Sequence, residues 1–299
     1  MHGRASVYES PSAYGFVRRV ENTLLSADNS WWTGCRPLHA RMVAEVPRAL
    51  YLNYLARKSY VAALAPGLFR PLDLPGDKET TLFTILLFSL ERSRPLRAPQ
   101  MFGAFFPHIM QSNWRFYGHL TEPNAESRPS VLFLRTVTNS LALSIFGRRL
   151  ARCFPLRRAR RMALSWEAPR LSAMIEPGAG SAPELIFQGE QIESSPISEG
   201  FRQQFSSYED YAHWIIDQHL SLVIWPREYV VQDMHLDFAK AKITPLHCLK
   251  CRVAGLEDFV VQPSDCFLVE GLQVFLDHIF SRTLDRGSFA GGKGPAANF

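Results

Sequence analysis

Residues 131–162 read VLFLRTVTNSLALSIFGRRLARCFPLRRARRM and change character twice. Val131–Thr138 combines β-branched and large apolar residues, which predicts a strand. Asn139 or Ser140 can then cap a helix, because a side-chain oxygen can accept a hydrogen bond from an unpaired amide of the first turn. We expect this helix to continue to about Arg152. Its apolar face would consist of Leu141, Ile145, Phe146 and Leu150.

Outward from this segment, apolar runs of strand length alternate with turn signals. Thr80–Leu90 is rich in Thr, Phe, Ile and Leu and is bounded by a Pro-Gly pair and a charged run, so we expect a buried strand. Residues 162–187 show a period of two on both sides of a turn-rich segment, which predicts a hairpin. The other expected strands are Tyr51–Leu55, Asn113–Leu120, Tyr229–Asp237 and Lys250–Val253.

Three further helices are expected. Lys58–Ala65 is short and is stopped by the proline and glycine that follow it. Ser206 with Glu209 has the pattern of a capping box for a helix through about Leu220. Asp265–Phe280 has apolar residues near helical spacing, which predicts a last amphipathic helix. Many strands with a few interspersed helices indicate an α+β protein, built mainly on an antiparallel sheet or barrel.

The composition is that of a folded intracellular chain. A length of 299 residues and a hydrophobic content of 46% allow a sizeable core. Five cysteines, an odd and scattered set, favour a reducing compartment, the cytoplasm. The first residues lack an apolar signal segment, and the run Leu82–Leu90 is too short for a membrane helix. We expect a single domain at 47–285, with an N-terminal extension at 1–46 and a disordered tail at 286–299.

The net charge of +5 permits attraction to anions. Much of it lies in a cluster with no acidic residue. The cluster consists of Arg148, Arg149, Arg152, Arg157, Arg158, Arg160 and Arg161. No aromatic platform or known binding motif accompanies it, so we do not expect nucleic-acid binding. Two explanations stay open, namely a solvated basic surface and the docking of an acidic partner together with Trp31 and Trp32.

Three segments carry a family resemblance. Arg48–Tyr54 leads through a short helix to the turn Leu64-Ala-Pro-Gly-Leu68. Leu132–Ser140 runs into Phe146-Gly-Arg-Arg149, and Phe154–Met162 is a proline-led loop that ends in Ala-Arg-Arg-Met. In this order they resemble the acetoacetate decarboxylase-like superfamily, and within it the YqjF-like branch. The resemblance covers about residues 47–255 and implies a β-barrel with several flanking helices.

The resemblance also implies an active site whose covalent chemistry is missing here. In the decarboxylases a lysine amine forms an imine with the substrate ketone, and a neighbouring lysine lowers its pKa. Leu156 and Arg157 stand at the matching places, and neither side chain can form an imine. Asn113 falls near the position of the family's acidic residue. Arg48 matches a family arginine associated with the substrate carboxylate.

We therefore expect a barrel that binds a small, partly apolar anion, such as a keto acid or an acyl compound, without a cofactor. Its candidate ligand-binding residues are Arg48, Asn113, Arg115, Arg157 and Arg158. One alternative is a lysine-independent decarboxylase, hydratase or cyclase, with Glu167 or His108 as its acid or base. The other is an interaction protein that binds an acidic partner. A homo-oligomer is compatible with each of these.

Cys248 and Cys251 have the spacing of a metal-binding pair. The sequence contains only one such pair, and a tetrahedral site would also need Cys266, His235 or His247. Two small apolar residues on or beside a strand are a commoner explanation. We therefore expect no metal site.

Overall fold

The computed structural model describes residues 41–105, 108–121, 127–144, 156–178, 182–193, 205–224 and 228–283. This part of the chain holds two α-helices, α1 (Lys58–Leu64) and α2 (Tyr208–Ile216), and a 3-10 helix at Gln100–Phe105. Its strands are β1 (Met42–Arg57), β2 (Phe69–Pro71), β3 (Thr80–Pro95), β4 (Ile109–Leu120), β5 (Arg128–Thr138), β6 (Leu156–Glu167), β7 (Arg170–Pro177), β8 (Leu185–Gln191), β9 (Leu220–Ile224), β10 (Glu228–Asp237), β11 (Lys242–Val253) and β12 (Val260–Thr283).

Nine of these strands close into a mixed β-barrel. The order is β5-β6-β7-β8-β11-β12-β1-β3-β4, and the pairing of β4 with β5 closes the ring. Neighbours in this barrel are antiparallel except β5 and β6, which run parallel. The mainly antiparallel β-barrel expected from the sequence is therefore confirmed.

Strands β9 and β10 add a second enclosure beside the barrel. β9 pairs in parallel with β5, and β10 pairs with β12, so that together they bridge two strands of the barrel wall. The five strands β5, β4, β3, β1 and β12 consequently have a core on each face, and we call them the shared sheet. Alternate residues of β1 show the two faces, since Leu50 and Leu52 enter the first core, inside the barrel, whereas Ala49 and Tyr51 enter the second core, under α2.

Burial on both faces of the shared sheet explains why some strands do not alternate between apolar and polar residues. Residues 80–89 of β3 are all buried, which confirms the buried strand expected there. The strands expected at residues 51–55, 113–120, 131–138, 229–237 and 250–253 are confirmed, as are the antiparallel pair of β7 and β8 and the short helix α1. Ser140 caps the expected next helix, because its Oγ accepts a hydrogen bond from the amide of Leu143 at 3.1 Å. The rest of that helix, the Trp31-Trp32 pair and the C-terminal tail lie outside the described residues.

The helix expected at residues 265–280 is wrong, because this segment belongs to strand β12. Its apolar residues are close enough together to imitate a helical face, but residues 266–269 are buried on both sides of the shared sheet. Gly271 has a φ of +82°, which L side chains rarely adopt. It lies between the residues of β12 that pair with β11 and those that pair with β10, so it marks the point where the strand changes partners.

Helix α2 differs from the expected one at both ends. Ser207 rather than Ser206 caps it, with Oγ accepting from the amide of Asp210 at 3.0 Å. The helix ends at Ile216 instead of continuing to Leu220, the first residue of β9. The carbonyl oxygen of Ile215 accepts a hydrogen bond from the Tyr117 hydroxyl at 3.2 Å. A tertiary contact, rather than a further helical turn, thus supplies the partner of this C-terminal carbonyl.

A row of polar side chains crosses the second-core face of the shared sheet and holds α2. Asp265 on β12 accepts from the Nδ2 of Asn53 at 3.0 Å, and the Oδ1 of Asn53 accepts from the hydroxyl of Thr84 at 2.6 Å. Arg115 on β4 lies opposite Thr84 in the register. Asp265 and Arg115 therefore stand three strands apart, roughly 14 Å at the usual strand spacing. We call this set the polar row.

Both ends of the polar row contact α2. Asp265 accepts from the hydroxyl of Tyr211 at 2.7 Å, near the start of the helix. Arg115 donates to the hydroxyl of Tyr117 at 2.9 Å, which donates in turn to the last turn of the helix at Ile215. Burial raises the pKa of Asp265 above its usual range, although the hydrogen bonds from Tyr211 and Asn53 oppose this effect. The row fixes the position of α2 at some electrostatic cost.

We expect Asp265→Asn to keep the fold and to change its pH dependence. Because the folded pKa is raised, the folded state holds this proton more tightly than the unfolded chain, whose carboxyl has a pKa of about 3.9. The wild type therefore loses stability relative to the variant as pH rises above about 4, until the folded pKa is passed. Urea unfolding of both proteins between pH 4 and 8 measures the difference.

The exposed Asp258→Asn is the matched control for the removal of one carboxylate. Asp265→Ala, which leaves the donors of Asn53 and Tyr211 without their acceptor, should cost about 1–3 kcal/mol for each buried group left unsatisfied. A difference between wild type and Asp265→Asn that stays constant across this pH range would show that Asp265 does not titrate differently on folding.

Candidate anion-binding site

Two arginines on the parallel pair β5 and β6 face the inside of the barrel. Arg157 lies opposite Val137 in the register, and Val137 belongs to the first core, as does Ala159 on the same face of β6. Arg135 lies opposite Trp114, which is also in the first core, and its guanidinium carbon is 5.2 Å from the centroid of the Trp114 ring. The fold thus brings two guanidinium groups to one place in the barrel wall.

The segment between β11 and β12 passes beside this place. Gly255 has a φ of +77°, and a Cβ added there would lie 3.8 Å from an Nη of Arg135. Tyr60 of α1 stacks on Phe259 with ring centroids 4.8 Å apart. Burial raises the pKa of Tyr60 and the positive charge of Arg135 opposes that rise, so the phenol and the guanidinium are electrostatic neighbours. One side of the site is therefore aromatic and the other cationic.

Without a bound anion, the positive charges of Arg135 and Arg157 are unfavourable. Burial lowers the pKa of Arg135, and the positive charge of Arg157 lowers it further. Burial also lowers the pKa of Arg157. Both groups nevertheless stay protonated at neutral pH, because the guanidinium starts from a pKa above 12. Neither has an acidic partner among the residues that the structure describes, so a bound anion would relieve both the desolvation and the repulsion.

The other residues named from the sequence lie elsewhere. Asn113 and Arg115 project from β4 into the second core, on the opposite face from Trp114, and Arg115 is held there by the polar row. Arg158 follows Arg157 on β6 and therefore faces the other way. Only Arg157 of the five candidate residues shares a site with Arg135.

Arg48 is separated from the arginine pair along β1. Its Nε donates to the carboxylate of Glu270 at 3.3 Å, and its side chain is 44% exposed. It lies nine positions before Arg57, whose amide donates to the carbonyl of Phe259 at 2.9 Å, beside the pair. At about 3.3 Å a residue the two ends of this stretch are roughly 30 Å apart. Arg48 thus has an acidic partner of its own.

Sequence reasoning missed Arg135. A signal was present, since this arginine interrupts the apolar run of Val131–Thr138 in a strand expected to be buried. Charged side chains are rarely buried unless they are paired or functional, so such a position could have been singled out.

Among the described residues, Arg160 and the acid-base candidates His108 and Glu167 lie outside this site. Arg160 is more than half exposed and forms an ion pair with Glu176 at 3.3 Å. His108 pairs with Glu91 at 3.4 Å on the surface, and Glu167 is exposed. Arg148, Arg149 and Arg152 lie outside the described residues.

No lysine occurs between Lys78 and Lys240. Lys58 pairs with Asp73 at 2.8 Å, and Lys78, Lys240, Lys242 and Lys250 are exposed. Within the described residues, no group of three or more His, Cys, Asp or Glu side chains could hold a metal ion. None of the helices in this part of the chain is both long and apolar enough to cross a membrane.

Comparison with solved structures identifies the fold. The chain is similar to acetoacetate decarboxylase from Legionella pneumophila, with a TM-score of 0.55, 9% identity, and coverage of 94% of this chain and 98% of that one. It is also similar to an acetoacetate decarboxylase-like enzyme from Sphingomonas wittichii RW1, with a TM-score of 0.51, 9% identity, and coverage of 83% and 94%. The enduracididine biosynthesis enzyme MppR, complexed with pyruvate, gives a TM-score of 0.52, 10% identity, and coverage of 84% and 92%.

These identities show the fold alone. No protein-family model and no curated protein matches the sequence. The chain has the acetoacetate decarboxylase-like fold, as its sequence resemblance implied.

We expect Arg157→Met to stabilise the protein in dilute buffer without added carboxylate or phosphate. The substitution keeps a long apolar stem and removes the repulsion on Arg135, which should raise the free energy of unfolding by about 1 kcal/mol. Arg160→Met is the control from the same strand. It breaks an exposed ion pair and should change stability by less than about 0.5 kcal/mol.

Urea midpoints of the three proteins at low ionic strength measure both effects. A loss of stability in Arg157→Met as large as that of a core truncation would show that Arg157 has a structural partner and is not an unrelieved charge.

Proposed function

We propose that this protein binds a small, partly apolar anion inside its nine-stranded barrel, with the anionic group between Arg135 and Arg157. The observation that carries the proposal is the pair of half-buried guanidinium groups without an acidic partner in the described part of the chain. A carboxylate accepts paired hydrogen bonds from the planar fork of a guanidinium, so two such groups suit one carboxylate well. Arg135 takes the role that the sequence suggested for Arg48.

The surroundings favour an apolar body behind the anionic group. Trp114 lies under Arg135, and Tyr60 and Phe259 form a stacked pair beside it. Aromatic walls with a few polar groups are typical of small-molecule sites. A keto acid or an acyl carboxylate combines both features. That MppR, a protein of the same fold, was crystallised with pyruvate agrees with a ligand of this class.

A thermal-shift series tests the proposal. Acetoacetate, pyruvate and straight-chain carboxylates are compared with their uncharged methyl esters on wild type, Arg135→Met, Arg157→Met and the control Arg160→Met. At a concentration of 100 Kd a ligand stabilises the protein that binds it by about 2.7 kcal/mol. We expect this effect for a carboxylate on wild type and Arg160→Met, and its loss in the two other variants.

Borohydride treatment in the presence of a β-keto acid, followed by intact mass, completes the experiment. No covalent adduct is expected, because the chain has no lysine in residues 79–239. Equal stabilisation of wild type and Arg157→Met would contradict the proposed site. A trapped adduct would show that a lysine from elsewhere enters the barrel and that imine chemistry operates.

A lysine-independent enzyme is the second candidate, and one observation favours it. Tyr60 keeps its proton at neutral pH, since its pKa is raised, and it lies near Arg135. A phenol in this position could donate a proton to an enolate that the arginines stabilise. Consumption of a β-keto acid by wild type but not by Tyr60→Phe, with binding retained, would favour this enzyme over a binding protein.

Two finer assignments belong to the same proposal. The three sequence segments that carry the resemblance support the YqjF-like branch of the superfamily. The scattered cysteines, of which Cys248, Cys251 and Cys266 are free thiols, support a cytoplasmic location. Light scattering with and without carboxylate tests whether a homo-oligomer forms and whether the ligand affects it.

A further inference from the structure

Cys248 and Cys251 lie on one face of β11 because of a β-bulge. Cys248 is opposite Gly189 on β8, whereas Cys251 is opposite Phe187, so three steps on β11 match two on β8. The extra residue is Leu249. Without it, positions three apart would point to opposite faces of the strand. The bulge therefore brings the two thiols together.

The two thiols lie at a seam in the barrel wall. β11 pairs with β12 only as far as Leu246, which is opposite Cys266. Beyond that point the register of β11 continues only with β8, and Cys248 and Cys251 are both exposed. The hydroxyl of Tyr54, on the far side of the seam, is 3.3 Å from the Sγ of Cys251. Small solutes can thus reach the thiols, while a buried phenol holds one of them in place.

The two cysteines differ in chemistry. A hydrogen bond from Cys248 lowers the pKa of Cys251 to about 7, against the effect of burial, and a hydrogen bond from Tyr54 contributes. The pKa of Cys248 is raised because it donates to Cys251. Burial raises the pKa of Cys266 to about 12, and its thiol donates to the carbonyl of Leu246 at 3.4 Å. Cys251 is therefore the thiol of the pair that ionises more readily, and Cys248 is the thiol next to it.

The backbone geometry also permits a bond between them. The two Cα atoms span two positions of the partner strand, or about 6.6 Å at the usual rise. Disulfides usually join Cα atoms between about 4.4 and 6.8 Å apart. The bulge therefore brings the two Cα atoms within the range of a disulfide.

We propose that Cys248 and Cys251 form a dithiol that a hydroperoxide oxidises to an intrastrand disulfide. The thiolate of Cys251 attacks the terminal peroxide oxygen, the O–O bond breaks, and the leaving alkoxide takes a proton to become an alcohol. Cys251 is then a sulfenic acid. The sulfur of Cys248 attacks it, the S–S bond forms, and water leaves with the proton of Cys248. Two thiols and one hydroperoxide thus give a disulfide, an alcohol and water, independently of any ligand in the barrel.

A metal-binding role is less well supported. Within the described residues no third His, Cys, Asp or Glu side chain joins the two thiols in a set that could hold an ion. A structural zinc site takes four such ligands. Disulfide formation between the two thiols needs no further side chain, only an oxidant.

Peptide mapping tests the proposal directly, because trypsin cleaves between the two cysteines. Cleavage after Lys242, Lys250 and Arg252 gives residues 243–250, ITPLHCLK, and the dipeptide Cys251-Arg252. After stoichiometric hydrogen peroxide and alkylation, we expect these two peptides to be joined without reductant and separate after reduction. The intact mass should fall by two hydrogen atoms and recover with dithiothreitol.

Single variants separate the steps. Cys248→Ser should stop at the sulfenic acid, which dimedone traps on Cys251. Cys251→Ser should react roughly tenfold or more slowly, since it lacks the thiol whose pKa is lowered. Cys266→Ala is the control and should keep the cross-link. Tyr54→Phe should move the pH midpoint of Cys251 alkylation upward, because a hydrogen bond to the thiolate is lost.

Three results would overturn the proposal. The first is oxidation that leaves residues 243–250 and Cys251-Arg252 unlinked in a protein whose thermal unfolding is unchanged. The second is a cross-link that Cys266→Ala abolishes. The third is equal alkylation rates for Cys248 and Cys251 at pH 7.

Discussion

The shared sheet has a core on each face, and this double burial constrains the polar groups that lie between the two cores. A backbone or side-chain group buried there has no access to water, so its partner must come from the protein or from a ligand. Backbone groups pair along the strands. Polar side chains require dedicated partners, and the two faces of the sheet meet this requirement in different ways.

On the second-core face the protein supplies the partners itself. Asp265, Asn53 and Thr84 form a continuous hydrogen-bonded chain toward Arg115, and tyrosines at both ends join it to α2. Such a row of hydrogen bonds favours one arrangement of its elements, since a shift would break several of these bonds at once. The polar row therefore explains why α2 ends where it does.

On the first-core face, Arg135 and Arg157 have no acidic partner among the described residues. Arg115 shows how this fold holds a buried arginine, because its guanidinium donates hydrogen bonds to Tyr117 and Ile215 and lies near two tyrosine rings, and only its Nε lacks a partner among the described residues. Among the described residues, Arg135 lies over the ring of Trp114 and near the Tyr60 phenol, and a second positive charge lies nearby. This contrast within one protein is the physical reason for assigning the barrel interior, rather than the second core, to an anionic ligand.

The sequence by itself determined the fold class and most strands, because apolar runs and turn residues are local properties. It grouped Arg157 with Arg48, Asn113, Arg115 and Arg158, whose relative positions depend on strand pairing and on which face of a strand a residue occupies. It also took β12 for a helix, since a strand buried on both faces loses the alternation that normally marks it. Only the tertiary structure decided that Arg135 joins Arg157 and that Cys248 meets Cys251, because parallel pairing and a β-bulge depend on the partner strand.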